Sequence, residues 1–129
     1  MTTELRIDAN RLLGRIAALA EIGGIDGGGC CRLALTDEER AGRELVMGWM
    51  RSAGLEVAVD RIGNIIATRP GRRDGPPVMT GPHLDTVRTG GRYDGPLGVL
   101  AGLEIVETLN AAGIETEHPL AVAVFINEE

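Results

Sequence analysis

Two short apolar runs, residues 78 to 83 and 121 to 126, each lead directly into side chains able to bind a metal. His83 and Asp85 stand at the end of the first, Glu128 and Glu129 just past the second. Between them, Leu97, Ala101, Ile105 and Leu109 recur at four-residue spacing. Leu100, Leu103 and Val106 widen that apolar face until Gly113 stops it. Strand, helix, strand is the unit of a sheet covered by helices, so the order predicts an α/β fold. In such folds, sites gather where strands end.

The residues upstream extend the same pattern. Asp8 or Asn10 can cap a helix over 9–21, with Leu12, Leu13, Ile16, Leu19 and Ala20 at helical spacing until Gly23 and Gly24. Gly23 to Gly29 is too glycine-rich for a regular element. It also lacks the Gly-x-Gly-x-x-Gly spacing of a dinucleotide site, which leaves a flexible loop. Thr36 with Glu39 reads as a capping box, and Ala41, Leu45 and Trp49 share one face of a helix ending near Gly54. Leu55 to Val59 and Ile62 to Thr68 read as a hairpin joined across Asp60 and Arg61, followed by a turn-rich loop from Pro70 to Pro77.

Composition removes whole classes of function. A chain of 129 residues with 43% hydrophobic and 25% charged side chains matches a single folded domain of ordinary make-up. The net charge of −6 argues against nucleic acid or an anionic membrane as partner, because both are held by basic surface; Arg72 and Arg73 make only a local basic spot. There is no lysine for a Schiff base or a phosphate loop, and the single serine, Ser52, lacks the glycines of a nucleophile elbow. Cys30 and Cys31 are adjacent, so a disulfide between them is strained and no Cys-x-x-Cys pair exists; a reducing cytoplasm fits. The N-terminal segment from Met1 to Arg6 reads as neither a signal peptide nor a membrane span.

The metal-capable residues each carry a plainer alternative. His83 and Asp85, two apart, point the same way if the strand persists, so Asp85 can orient the imidazole; singly, they read as a hydrogen-bonded histidine and a turn residue. Asp94, between Gly91 and Gly95, is either the N-cap of the helix beginning near Pro96 or a carboxylate able to bridge two cations about 3.5–4 Å apart. Glu128 and Glu129 are either a solvated acidic end or a ligand beside a base, and on extended backbone their side chains diverge. Gly98 and Gly102 let the helix pack closely on the sheet. His118, beside Pro119, reads as a surface histidine, and Trp49 and Tyr93 stand too far apart in sequence to make a stacking platform.

Three runs in order carry a resemblance. Gly-Pro-His-Leu-Asp-Thr-Val at 81 to 87, Gly-Gly-Arg-Tyr-Asp-Gly-Pro-Leu-Gly-Val-Leu-Ala-Gly-Leu-Glu at 90 to 104 and Phe-Ile-Asn-Glu-Glu at 125 to 129 resemble the hydantoinase/carbamoylase branch of the M20 metallohydrolases. Arg-Leu-Ala-Leu-Thr-Asp-Glu-Glu-Arg at 32 to 40 and Asp-Arg-Ile-Gly-Asn-Ile at 60 to 65 look like the same branch. That branch holds N-carbamoyl-L-amino acid hydrolases, allantoate amidohydrolases and β-ureidopropionases. The resemblance implies a mixed sheet flanked by helices, the first part of a zinc-peptidase-like catalytic domain, without its lid and dimerisation domain.

It further implies two divalent ions, zinc or manganese, with His83 on one, Asp94 bridging and Glu129 on the other. Glu128 would be the general base and Asp85 the support of His83. The expected substrate is a small ureido or amide compound, and longer relatives are expected to be homodimers. Family members also draw a further histidine onto each metal from sequence beyond position 129, and His118 matches neither. Two alternatives stand beside amidohydrolysis. One is an M20 aminopeptidase or dipeptidase; the other is a catalytically inert fragment that binds metal weakly, its last strand an unprotected edge prone to association.

Overall fold

The computed structural model describes residues 4–129; Met1 to Thr3, part of the segment read above for a leader, lie outside them. Helix α1 (Ala9–Glu21) starts where the Asp8 side chain accepts the Arg11 N–H, and it buries Ile16, Leu19 and Ala20. Leu13, expected on that face, is 56% exposed. Helix α2 (Asp37–Ser52) starts where the Thr36 hydroxyl accepts the Glu39 N–H, with Asp37 and Glu38 in a first turn whose dipole favours acids. Only half of the capping box forms, because the Glu39 carboxylate is buried against Arg43 at 3.5 Å.

Strands β1 (Glu56–Val59) and β2 (Ile65–Arg69) pair antiparallel, as the hairpin reading expects. Strand β3 (Val78–Thr80), helix α3 (Pro96–Ala112) and strand β4 (Leu120–Val124) follow. The order across the sheet is β1-β2-β4-β3, with β4 antiparallel to β2 and parallel to β3, which makes the sheet mixed. The β3-α3-β4 crossover is the strand-helix-strand unit legible in the sequence. The core lies where Leu19, Val46 and Met50 meet Leu100, Leu103 and Ile65, all fully buried. Each such side chain stabilises the fold by roughly 1.5–3 kcal/mol. Arg11 clamps Glu104 with two 2.7 Å hydrogen bonds, and Arg15 grips Glu107, tying α1 to α3.

Several expectations need correction. The buried face of α2 is Glu39, Gly42, Arg43, Val46 and Met50, whereas Ala41 is exposed and Leu45 and Trp49 are only half-buried. Gly42 explains the rotation: a Cβ there would lie 3.0 Å from Arg32 Cδ and 3.3 Å from Leu19 Cδ1, so the helix packs through its glycine. On α3 the four-residue series fails too, since Leu97 and Ile105 are 44% and 50% exposed. Four-residue steps drift by about 40° each round a helix. The seam that stays on the core is Val99, Leu100, Leu103 and Val106.

Strand boundaries also shift. The hairpin connection spans Asp60 to Asn64, not two residues, because the Asp60 carboxylate accepts the N–H groups of Ile62, Gly63 and Asn64. The first apolar run is a strand only at Val78–Thr80 and is exposed, an edge strand and not a buried one. The last run stops at Val124 and lies between β2 and β3, so the sheet edges are β1 and β3, not β4. The glycine-rich loop is irregular as expected, and backbone bonds from Ile25 to Gly29 and from Cys31 to Gly23 close it.

Candidate metal centre

After β3 the chain leaves the sheet through Gly81 (φ +135°), where a Cβ would run into the backbone of Ala123. The parallel ladder gives one more bond, from the Phe125 N–H to the Pro82 carbonyl at 2.8 Å. His83 follows, 3% exposed, beyond the strand and not within it. Its Nδ1 lies 2.8 Å from the Asp85 backbone carbonyl. A carbonyl can only accept, so Nδ1 carries the proton and Nε2 presents its lone pair. Nε2 is 3.4 Å from Glu128 Oε2 and 4.0 Å from Glu129 Oε1.

Asp85 supports His83, but differently from the expected pairing of carboxylate and ring. Its carboxylate is 3.6 Å from Nδ1 and instead accepts the backbone N–H of Glu128 at 3.3 Å and of Glu129 at 3.0 Å. The contact to the ring comes from its carbonyl. One buried residue thus holds both the histidine and the acidic segment.

Asp94 is not the N-cap of α3. Gly95 takes that position with φ +93°, and no side chain caps the helix. A Cβ at Gly95 would lie 2.6 Å from the Cε1 and Nδ1 atoms of His83, so only glycine leaves room for the imidazole beside Asp94. In the sequence the Asp94-Gly95-Pro96 run carries both readings of Asp94, helix cap and bridging carboxylate, and gives no sign that Gly95 makes room for the ring.

Glu128 and Glu129 do not diverge. Asn127 sits in the left-handed region at φ +54°, so the backbone is not extended and both carboxylates face the His83 ring. Ligand atoms of His83, Asp94 and Glu129 all lie within 4.8 Å of one another. Asp94 raises the Glu129 carboxyl above the usual carboxylate range, chiefly through a side-chain hydrogen bond between the two, with desolvation and the Asp94 charge adding to it. An imidazole and two facing carboxylates form a borderline-to-hard donor set that suits zinc or manganese. The residues fit such an ion.

Sequence reasoning missed Arg32. Its fully buried guanidinium donates to the Leu84 carbonyl at 2.9 Å and to the carbonyls of Leu19 and Ile22 at the end of α1. Its backbone N–H reaches Thr86 Oγ1 at 2.7 Å, and the Thr86 N–H returns to the Arg32 carbonyl. Burial pulls its pKa down from the usual arginine value. Arg32 therefore ties the segment from Leu84 to Thr86 to the end of α1. An arginine opening the run at 32 to 40 was the only signal for it in the sequence.

An open cleft of about 310 Å³ beside the ligands is lined by Leu33, Ala34, Asp85, Thr86, Val87, Arg88, Asn127 and Glu129. A larger cleft, about 480 Å³, lies between the start of α2 and the hairpin loop and includes none of the candidate ligands. His118 is exposed at the start of β4, at the far end of that strand from Glu128, as the sequence reading expects. Trp49 packs under the Arg15 guanidinium and Tyr93 is exposed. Cys30 and Cys31 are free thiols, and among the described residues no helix is long and apolar enough to cross a membrane.

No protein-family model matches the chain. Individual relatives do. An N-carbamoyl-L-amino-acid amidohydrolase from Rhizobium meliloti is 47% identical over 125 residues, covering 96% of this chain and 30% of the relative. A ureidoglycolate hydrolase from Arabidopsis thaliana is 32% identical over the whole chain and 27% of its own length. The crystal structure of a hydantoinase/carbamoylase family amidase from Burkholderia ambifaria superposes with a TM-score of 0.95 at 51% identity, covering 98% of this chain and 32% of that one. The chain spans about three tenths of the length of these relatives. That level of identity along almost all of its residues, on the same fold, means the chain belongs to the hydantoinase/carbamoylase branch of the M20 hydrolases.

Proposed function

We propose that this chain is the metal-ligand-bearing part of a catalytic domain, residues 1–129, whose longer form hydrolyses linear amide or ureido C–N bonds. The substrate class is an N-carbamoyl-L-amino acid or an allantoate-like ureido compound. The observation that carries this reading is the group His83, Asp94 and Glu129, with ligand atoms within 4.8 Å of one another, and Glu128 Oε2 3.4 Å from His83 Nε2 beside it. The names of the relatives support the bond class.

In this reading His83 and Asp94 would hold one divalent ion, Asp94 and Glu129 a second. Such ions supply acidity to water and polarise a carbonyl. Glu128 Oε2, on a side chain 54% exposed, accepts the proton of the attacking water and passes it to the leaving nitrogen. Asp85 and Arg32 keep His83 and the two glutamates in place. A cytoplasmic setting belongs to this reading, and the two free thiols, Cys30 and Cys31, fit it. Neither nucleic acid nor membrane is a partner in this reading, and the longer form is a homodimer.

Two ions sharing Asp94 would each have only two protein ligands here, whereas a catalytic zinc has about three. This favours a second reading for the 129-residue chain by itself: weak metal binding without turnover. A test on the longer protein measures zinc- or manganese-dependent release of the free L-amino acid from an N-carbamoyl-L-amino acid and from a dipeptide. Glu128→Gln should abolish release while zinc still binds; retained turnover sinks the base assignment, and dipeptide preference sinks the carbamoylase reading. Metal-dependent turnover by the 129-residue chain alone would overturn the second reading.

A further inference from the structure

The hairpin loop from Asp60 to Asn64 supplies no candidate ligand, yet it is tied to the acidic segment. Asp60 Oδ2 accepts the Asn64 side-chain N–H at 2.9 Å, while Asp60 Oδ1 accepts three backbone N–H groups of the loop. A carboxylate can only accept, so the Asn64 amide nitrogen is committed to Asp60 and its oxygen faces the other way. That oxygen accepts the Ile126 N–H at 2.9 Å, across 62 positions of sequence. Gly63 (φ +112°) lies directly against the same residue: a Cβ there would sit 2.7 Å from Ile126 Cδ1.

Ile126 is the last point at which the acidic segment is held from the sheet side. The ladder to β2 ends at Val124, and Phe125 bonds to Pro82. Next comes Asn127, a non-glycine residue in the left-handed region, a conformation that persists only where its surroundings impose it. On its far side, the N–H groups of Glu128 and Glu129 are held by the Asp85 carboxylate. The turn that brings both glutamates to His83 is therefore gripped at two ends, by Asn64 before it and Asp85 after it.

We infer that Asn64 is a positioning residue for the Glu128 and Glu129 carboxylates, acting through the Ile126 N–H. The inference rests on the metal reading for its chemical consequence and on the backbone alone for its structural one. Without the Asn64 oxygen, Asn127 is held from one side only and the two carboxylates swing away from Nε2. Partners of this kind that orient ligands change metal affinity by about 10–100-fold.

The test uses the 129-residue chain and two readouts, ¹⁵N order parameters at Glu128 and Glu129 and Zn²⁺ titration by calorimetry. Asn64→Ala keeps the three backbone bonds to Asp60. It should drop both order parameters from about 0.85, the rigid value, to below about 0.6. Zn²⁺ binding should weaken about tenfold or more. Asn110→Ala is the control: Asn110 joins the Ala53 carbonyl to Arg69 at the opposite end of β2, and its loss should leave both readouts unmoved. The double variant Asp60→Asn/Asn64→Asp exchanges donor and acceptor within the loop and should restore native order at Glu128 and Glu129. Unchanged order parameters in Asn64→Ala, equal losses in Asn110→Ala, a failed rescue, or low values already in the unaltered chain each overturn the inference. If the unaltered chain takes up no Zn²⁺, weak metal binding by the 129-residue chain alone fails, and the order parameters still decide the role of Asn64.

Discussion

The Asp85 Oδ2 atom accepts the Glu129 backbone N–H at 3.0 Å, joining residues 44 positions apart with a carboxylate that is 2% exposed. The same side chain takes the Glu128 N–H through Oδ1, and its carbonyl takes the His83 ring. A buried carboxylate here organises the site without itself being one of the three clustered ligand groups.

Replacing Asp85 by asparagine keeps its volume but puts an amide donor against one of the two backbone donors. The expected cost is about 1–3 kcal/mol of stability, from an N–H left unsatisfied away from water. Zn²⁺ affinity should fall by about 10–100-fold. Urea unfolding and calorimetric titration of Asp85→Asn measure both; unchanged affinity would show that the carboxylate does not set the geometry of the glutamates.

Gly95→Ala places a methyl group 2.6 Å from the His83 ring atoms at a backbone angle of φ +93°. An L-residue in that conformation destabilises by more than about 1 kcal/mol before the clash is counted. The ring must move, so the His83 imidazole signals in an NMR spectrum should shift and zinc binding should weaken. Native imidazole shifts in this variant would mean that α3 gives way instead.

Glu104 supplies a pH prediction. Arg11 hydrogen-bonds its carboxylate, and the Asp8 N–H and Thr108 hydroxyl add to this, so its pKa lies below the ordinary value of 4.5 despite opposing desolvation. The folded state thus releases this proton more readily than the unfolded chain does. The stabilisation is fully present above the unfolded value and is lost as pH falls through the lower folded one. Urea midpoints should decline from about pH 4.5 downward in the unaltered protein. Glu104→Gln should be less stable at pH 7 and lose less of its stability over the acid range; parallel declines would remove Glu104 as the cause.

Much of this molecule was legible because the deciding interactions are short-range. Asp8 capping α1, Thr36 capping α2 and Gly113 ending α3 each act within about one helical turn, so the residues that set them are neighbours in the sequence. The strand-helix-strand order and the set His83, Asp94, Glu128 and Glu129 could likewise be read from ordered runs of residues. Helix faces were less legible. The rotation of α2 depends on Gly42 admitting Arg32 and Leu19, and apolar periodicity gives no weight to a glycine.

What the sequence determined by itself was therefore the kind of fold and the identity of the acidic and imidazole groups. Only the tertiary structure decided how they meet. The carbonyl and carboxylate of Asp85 serve different partners, Gly95 makes room for a ring twelve residues earlier, and Asn64 holds Ile126 across 62 positions. Nothing local encodes these contacts, because each needs two distant segments fixed in space by the packed sheet and helices before a bond of about 3 Å can form.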